Sequence, residues 1–168
     1  MPEKETIERA REDAREGKSP STQAGEFVRE EIHHIREGKH GARSTKQAIA
    51  IGLSKARRAG VKLKPPKKGT TSEETRRAAV RDSRKAKSGG KNKTSARRSR
   101  AMLKRLKREG RSAASPKALA RQARSAAKRR SAASRSASAK KAAKTKGPAK
   151  RRAAAKKGAR TRARGGSH

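Results

Sequence analysis

The residues with the clearest chemistry are pairs of adjacent lysines and arginines. Their side chains carry positive charge and hydrogen-bond donors that suit phosphate oxygens, and such contacts supply most of the non-specific affinity of proteins for nucleic acid. The pairs recur along the last two thirds of the chain. We therefore predict phosphate contacts at Lys67, Lys68, Arg97, Arg98, Arg129, Arg130, Lys140, Lys141, Arg151, Arg152, Lys156 and Lys157.

A second possible phosphate site lies at a loop, residues 38–43, that leads into a predicted helix. Free backbone N–H groups at a helix N-terminus attract anions. The side chains that would surround a phosphate there are Lys39, Arg43, Ser44 and Lys46, with the Thr45 hydroxyl. The alternative is that the glycines only turn the chain and the bases are solvated. A DNA-reading helix-turn-helix is disfavoured because its turn is usually about three or four residues long, and residues 48–53 are too apolar to face a groove.

Histidines offer the one metal-ligating pattern, formed by His33, His34 and His40 with Glu30 and Glu37. Adjacent histidines point about 100° apart on a helix, so His33 and His34 cannot share an ion, and we expect no metal site. The sequence contains no Ser, His and acid arrangement, no carboxylate pair in an apolar setting and no P-loop. It predicts no catalytic residue, no cofactor and no enzyme activity.

The composition restricts how much of the chain can fold. The 168 residues include 52 Lys or Arg and 14 Asp or Glu, for a net charge of +38. Val, Ile, Leu and Phe total 14 residues, which is about 8% and far below the roughly 20% under which a highly charged chain is expected to be disordered. Ten of these 14 lie in residues 1–64, whereas residues 65–168 hold 37 bases and 4 acids. Any packed core must therefore lie near the N-terminus.

Two amphipathic helices are predicted there. Val28, Ile32 and Ile35, with Phe27 beside them, form one apolar stripe on a helix that Ser21 or Thr22 would cap. The following helix begins at an S-x-x-Q capping box, repeats apolar residues at four- and three-residue spacing, and ends at a glycine. Its residues are Ser44, Gln47, Ile49, Leu53, Ala56 and Gly60, after which Val61 and Leu63 can fold back over the pair.

We therefore predict an all-α fold, in which a short helical hairpin module is joined to isolated basic helices and a disordered basic tail. The hairpin alone is marginal, so it could form a homodimer. The predicted segments are a charged, solvated N-terminal helix (1–19), the hairpin module (20–64), a Pro/Gly-rich linker with one basic helix on solvent or DNA (65–94), a basic helix pair (95–130) and a disordered Ala/Lys/Arg tail (131–168). A flexible joint is expected at Ser88-Gly89-Gly90.

Two resemblances bear on these predictions. The stretch from Arg43 to Gly60, with its Lys-Gln-Ala-Ile-Ala-Ile core, resembles an uncharacterised family of small basic bacterial proteins over roughly residues 21–64. That resemblance implies a bacterial origin and a helical module, but no activity. The Ala, Lys, Ser and Pro composition of the tail resembles linker-histone tails and the bacterial histone-like proteins that share it. Ser115-Pro116-Lys117 is the one Ser-Pro-Lys triplet, whereas such triplets recur in those tails.

We expect a cytoplasmic, nucleoid-associated protein that binds duplex DNA without reading its sequence. Phe27 is the only aromatic residue, which disfavours the stacking platforms of single-strand and sequence-specific RNA readers. An RNA-binding, ribosome-assembly role is the alternative, because the same charge would serve it. A membrane-surface role is disfavoured because the basic helices lack a Trp, Phe and Leu face, and no apolar run resembles a signal or a spanning segment.

Overall fold

The structure is a computed structural model that describes residues 2–87 and 95–165. Within these residues it is all-helical and contains no strand, which confirms the predicted all-α class. The helices are α1 (Lys4–Arg15), α2 (Pro20–Arg36), α3 (Thr45–Arg58), α4 (Glu73–Lys87), α5 (Ala96–Lys107), a 3₁₀ turn (Ser112–Ala114), α6 (Pro116–Lys128) and α7 (Ala132–Gly165). The chain forms two compact units, Met1–Gln122 and Ala123–His168. The joint expected at Ser88-Gly89-Gly90 lies outside the described residues.

Helix α2 carries the predicted apolar stripe. Phe27, Ile32 and Ile35 are buried, and Val28 packs against them in part, as the sequence predicts. The helix begins earlier than predicted, because Ser19 is the N-cap and its Oγ accepts a hydrogen bond from the Thr22 N–H. Pro20 then occupies the first helical position, where the missing N–H of proline costs nothing.

Helix α3 packs on α2 through small residues. Its buried face consists of Thr45, Ala48, Gly52 and Ala56, whereas the predicted Ile49 and Leu53 are only half-buried. The two backbones approach so closely that a Cβ at Gly52 would lie 2.7 Å from the Cα of Val28. Close approach between the helices is therefore added to the predicted packing of Leu53, which contacts the cluster around Phe27.

The end of α3 follows the prediction. Gly60 adopts a left-handed backbone conformation, with φ of 97°, that glycine reaches without a Cβ penalty. Val61 and Leu63 then pack against the cluster formed by Ala10, Ala24, Phe27 and Ala56.

Helix α1 is part of the core rather than a solvated helix, so that prediction was wrong. Thr6 and Ala10 are buried one turn apart, and Ile7 packs against the cluster around Phe27. Arg9 also contacts α2 through an ion pair of 3.0 Å between its Nε and Oε2 of Glu26. The error arose because this packing face is built from small residues, which a count of large apolar side chains does not detect.

Helix α4 packs on α3 instead of lying on solvent, which corrects a second prediction. Ala79 is buried, and the Ser54 hydroxyl donates to Oδ2 of Asp82 at 2.6 Å. Arg58 of α3 lies 3.6 Å from the other carboxylate oxygen of Asp82. Asp82, one of three acids in this helix, thus attaches it to the hairpin.

The segment from Leu106 to Ala114 covers the open side of the hairpin. Its backbone carbonyls accept four hydrogen bonds from the α2–α3 region, while Ala113 and Ala114 are buried in the cluster with Ile35 and Ala48. The donor and acceptor pairs are Gly41 N–H to Leu106 (2.9 Å), Ala42 N–H to Gly110 (3.1 Å), Thr45 Oγ1 to Ala113 (2.7 Å) and Arg36 Nε to Ala114 (2.9 Å). The first unit is therefore larger than the hairpin module predicted for residues 20–64.

The second unit contains α7, which is two helical segments that meet at Gly147. Gly147 has φ of 67° and ψ of 170° and precedes Pro148, so the helical geometry is interrupted there. None of the described residues of this unit is buried. Ala, Lys and Arg favour helix by intrinsic propensity, without tertiary packing. Disorder of the free tail stays a prediction. Among the described helices, none is both long and apolar enough to cross a membrane.

Candidate nucleic-acid interface

The predicted capping box at the start of α3 is present. Ser44 Oγ accepts from the Gln47 N–H at 3.2 Å, and Gln47 Oε1 accepts from the Arg43 N–H at 2.8 Å. The Gln47 side chain thus accepts from the N–H of Arg43, the residue before the N-cap, and not from the N–H of Ser44 itself. The Thr45 hydroxyl is directed inward, because it donates to the Ala113 carbonyl in a buried hydrogen bond. Both hydroxyls that were expected to meet a phosphate therefore hold bonds within the protein.

The bases around this helix start differ in their surroundings. Arg43 and Lys46 are exposed, whereas Lys39 Nζ lies 3.1 Å from Glu37 and 3.3 Å from Glu3. Hydrogen bonds to Glu37 and then to Glu3 raise the pKa of Lys39. Phosphate contact at this loop thus depends on Arg43 and Lys46, since the charge of Lys39 is already paired.

Gly41 shows what the loop does within the fold. It is buried, and a Cβ at this position would collide with the Glu109 carbonyl oxygen. The absence of a side chain lets the loop lie directly against the segment that precedes the 3₁₀ turn. This contact favours the alternative left open by the sequence, in which the loop glycines serve the path of the chain. Phosphate binding by Lys39, Arg43, Ser44 and Lys46 stays a prediction.

The doublets of the first unit are exposed. Lys67 and Lys68 follow Pro66 in an irregular segment, and Arg97 and Arg98 lie in the first turns of α5. Helix α5 has no buried residue, and its Met102 and Leu103 are 55% and 45% exposed. The structure gives these four bases access to a ligand but does not gather them into one pocket.

The doublets of the second unit are exposed as well: Arg129, Arg130, Lys140, Lys141, Arg151, Arg152, Lys156 and Lys157. Arg129 and Arg130 hydrogen-bond to neighbouring serines, which fixes them locally without neutralising them. The sequence has no acid after Glu109. Their charge therefore cannot be balanced by carboxylates within this unit.

One group of potential metal ligands is brought together, but not the predicted one. Glu31, His34 and His40 each place one ligand atom within 4.8 Å of the others, and this is the cluster found among the described residues. His33 is exposed and stands apart from it, as the helical geometry predicts. The signal that sequence reasoning missed is the Glu-x-x-His spacing of Glu31 and His34, which puts both ligands on one helix face.

The acids of this region are held by bases. Glu31 is fully buried, and Lys55 Nζ lies 2.7 Å from its Oε2 and 3.2 Å from Oε1 of Glu30. Two hydrogen bonds lower the pKa of Glu3, and the one with His34 has a larger effect than the one with Lys39. In α3, burial lowers the pKa of the Arg57 guanidinium, although the negative charge of Asp82 acts to raise it.

One of the comparisons with known proteins matches part of the chain. Residues 15–68 match the model of DUF6496, a family of unknown function. The matched residues run from the end of α1 through the hairpin to the bases that follow Pro66, which is about a third of the chain. A search of curated proteins found no match, and a search of solved structures found none either.

Proposed function

We propose that this protein is a nucleoid-associated, non-sequence-specific duplex DNA-binding protein that coats, bridges or compacts DNA through its basic C-terminal arm, residues 65–168. The observation that carries the proposal is the exposure of the arm's paired bases, eight of which lie in the stretch without acids after Glu109. A large excess of exposed positive charge over carboxylates favours a polyanion as the ligand. The proposal assigns the chain no catalytic residue and no cofactor.

The arrangement of bases around α7 supports contact with the DNA backbone rather than with base edges. At about 100° per residue, Arg151, Arg152, Lys156 and Lys157 point in different directions around the second helical segment. A helix that reads a groove presents one face of selected side chains to base edges. Bases on all sides instead suit phosphates, which carry no sequence information.

The amount of charge sets the scale of the ligand. Residues 65–168 carry a net charge of +33. Because duplex DNA presents one charge per roughly 1.7 Å of its axis, that charge matches about 55 Å, or about 16 base pairs. A ligand of this length suits a protein that covers DNA, and not one that grips a single phosphate.

The environment of Phe27 supports a duplex over a single strand. This sole aromatic residue is 1% exposed in the cluster between α1, α2 and α3. Single-strand binders stack bases on exposed aromatic rings. The only aromatic residue of this sequence is buried, so it cannot stack on a base. A homodimer through the hairpin, which would turn coating into bridging, remains part of the proposal.

A competition experiment on the full chain tests the proposal. A labelled mixed-sequence DNA duplex is displaced with a random-sequence DNA duplex, an RNA duplex of matched sequence and heparin, at several salt concentrations. We expect the two DNA duplexes to compete almost equally and the affinity to fall with a log–log slope near −9 if about ten phosphates are contacted. A hundredfold preference for one DNA sequence contradicts the proposal. A clear preference for the A-form RNA duplex supports the ribosome-assembly alternative instead.

A further inference from the structure

A group of three potential ligands lies where α2 meets the loop that follows it. Glu31 and His34 are one turn apart on α2, and His40 comes back to them from residues 38–43. His40 Nε2 lies 3.3 Å from Oε1 of Glu31, and the rings of His34 and His40 meet edge to face at 6.2 Å between centroids. Two imidazoles and a carboxylate thus converge on one small volume.

The hydrogen bonds of the two histidines leave one nitrogen of each without a hydrogen-bond partner among the described residues, and that of His34, Nδ1, lies 3.9 Å from Oε1 of Glu30. His34 Nε2 is 2.8 Å from Oε1 of Glu3, and His40 Nδ1 is 3.0 Å from the Gly41 carbonyl oxygen. Carboxylates and carbonyls accept, so each of these nitrogens carries the proton in a neutral ring. Nδ1 of His34 and Nε2 of His40 then hold lone pairs. Metal-bound histidines show this pattern, in which the second ring nitrogen donates to a carboxylate or a carbonyl.

The Glu31 carboxylate supplies an independent observation. The residue is fully buried, and neither of its oxygens has a hydrogen-bond donor in good geometry within the described part of the chain. Lys55 pairs with Oε2 at 2.7 Å, which leaves Oε1 directed toward His40. In the neutral tautomer that the Gly41 contact favours, an oxygen lone pair and a nitrogen lone pair face each other. Two acceptors at this distance repel each other unless a proton or a metal cation lies between them.

We propose that Glu31 Oε1, His34 Nδ1 and His40 Nε2 bind a divalent transition metal, with Zn²⁺ as the ion that suits them best. Two imidazoles, one carboxylate and a water molecule form a donor set that zinc accepts in four-coordinate sites. Ligand atoms around a tetrahedral zinc are separated by roughly 3.3 Å. One ligand atom of each of the three residues lies within 4.8 Å of the others, so small side-chain movements bring the residues to that spacing. His34 also lines a surface depression with Glu3 and Glu30, and the side chains of His34 and His40 are 12% and 11% exposed.

Such an ion would fasten the α2–α3 loop to α2. His40 precedes Gly41 and Ala42, whose amides bind the carbonyls of Leu106 and Gly110. Metal binding at His40 therefore stabilises the loop on which the segment from Leu106 to Ala114 is packed. An ion that binds only the native state adds its binding free energy to the free energy of folding. The bound ion should therefore raise the stability of the first unit.

Equilibrium dialysis of the full chain against Zn²⁺, with metal analysis of the retained protein, tests the proposal. The variants are His34→Ala and His40→Ala, and His33→Ala is the matched control because His33 is an exposed neighbour on the same helix. We expect one ion per wild-type chain, and a loss of affinity of at least about tenfold in the two ligand variants. The control should bind as the wild type does. Equal loss in all three variants, or no retained zinc in the wild type, overturns the proposal.

A measurement on the wild-type chain covers the case in which a variant fails to fold. Nitrogen-15 chemical shifts of the imidazole rings report which ring nitrogen is protonated, free or metal-bound. Upon zinc addition we expect Nδ1 of His34 and Nε2 of His40 to take the shifts of metal-bound nitrogens, while His33 stays unchanged. If His40 is an imidazolium paired with Glu31 and zinc alters neither ring, the proposal is wrong.

Discussion

Charge removal on the arm gives the sharpest test of where DNA binds. We consider a full-length variant in which Arg151, Arg152 and Lys156 are replaced by glutamine. All three are exposed on α7, where the sequence has no acid that could balance them. Each phosphate contact contributes about 0.9 to the log–log salt slope. The loss of three contacts should therefore move a slope near −9 to about −6, so that the fall in affinity between about 50 and 200 mM salt shrinks from roughly 10⁵-fold to roughly 10⁴-fold.

The matched control removes three exposed charges from the acid-rich N-terminal helix. Replacement of Lys4, Arg11 and Arg15 by glutamine changes the net charge by the same amount. Fluorescence anisotropy of a labelled DNA duplex over a salt series gives the slope for both variants. We expect the control to keep a slope close to that of the wild type. If the control loses as much slope as the arm variant, then total charge and not arm contact sets the affinity. An unchanged slope in the arm variant refutes the reasoning outright.

Two further predictions concern the first unit. Gly41→Ala forces a Cβ into the Glu109 carbonyl and should lower the free energy of unfolding by about 1–3 kcal/mol. Gly25→Ala places its Cβ in open space within α2 and should raise the free energy of unfolding by roughly 0.5–1 kcal/mol. Thermal unfolding measures both, and equal shifts would contradict the contact. Asp82→Ala removes the acceptor of the Ser54 hydroxyl and should cost about 1.5–3 kcal/mol, with faster amide exchange in α4. Arg81→Ala, exposed on the same helix, is the control, and unchanged exchange in α4 would show that Asp82 does not anchor it.

The sequence predicts those parts of the fold that rest on large apolar side chains and on capping residues. The stripe of α2, the Ser44 cap and the left-handed Gly60 all follow from residue type and spacing. The docking of α1, α4 and the segment before α6 was not predictable in this way. Those contacts use Ala10, Ala79 and Ala113 together with backbone carbonyls, and alanine carries no distinctive signal in a chain so rich in it.

The candidate interface also has features that the sequence predicts and features that it does not. Charge and its lack of carboxylate partners follow from composition, so the bases of the arm could be named from the sequence. The partners of single groups could not, because they depend on long-range packing. The Thr45 hydroxyl is turned inward by a carbonyl 68 residues away, and Lys39 is paired with Glu3, the residue that precedes α1. The convergence of His40 on Glu31 likewise requires the loop path that the buried Gly41 permits.

The distribution of acids explains how a chain with this charge folds at all. Of the 14 acids, 10 lie in residues 1–37, together with only 7 of the 52 bases. Self-repulsion opposes a compact state, so the helices that hold the core need counter-charges close by. Glu26 pairs with Arg9 across α1 and α2, and Glu30 pairs with Lys55 across α2 and α3. None of the described residues of the second unit is buried, so the excess of bases there opposes no packing.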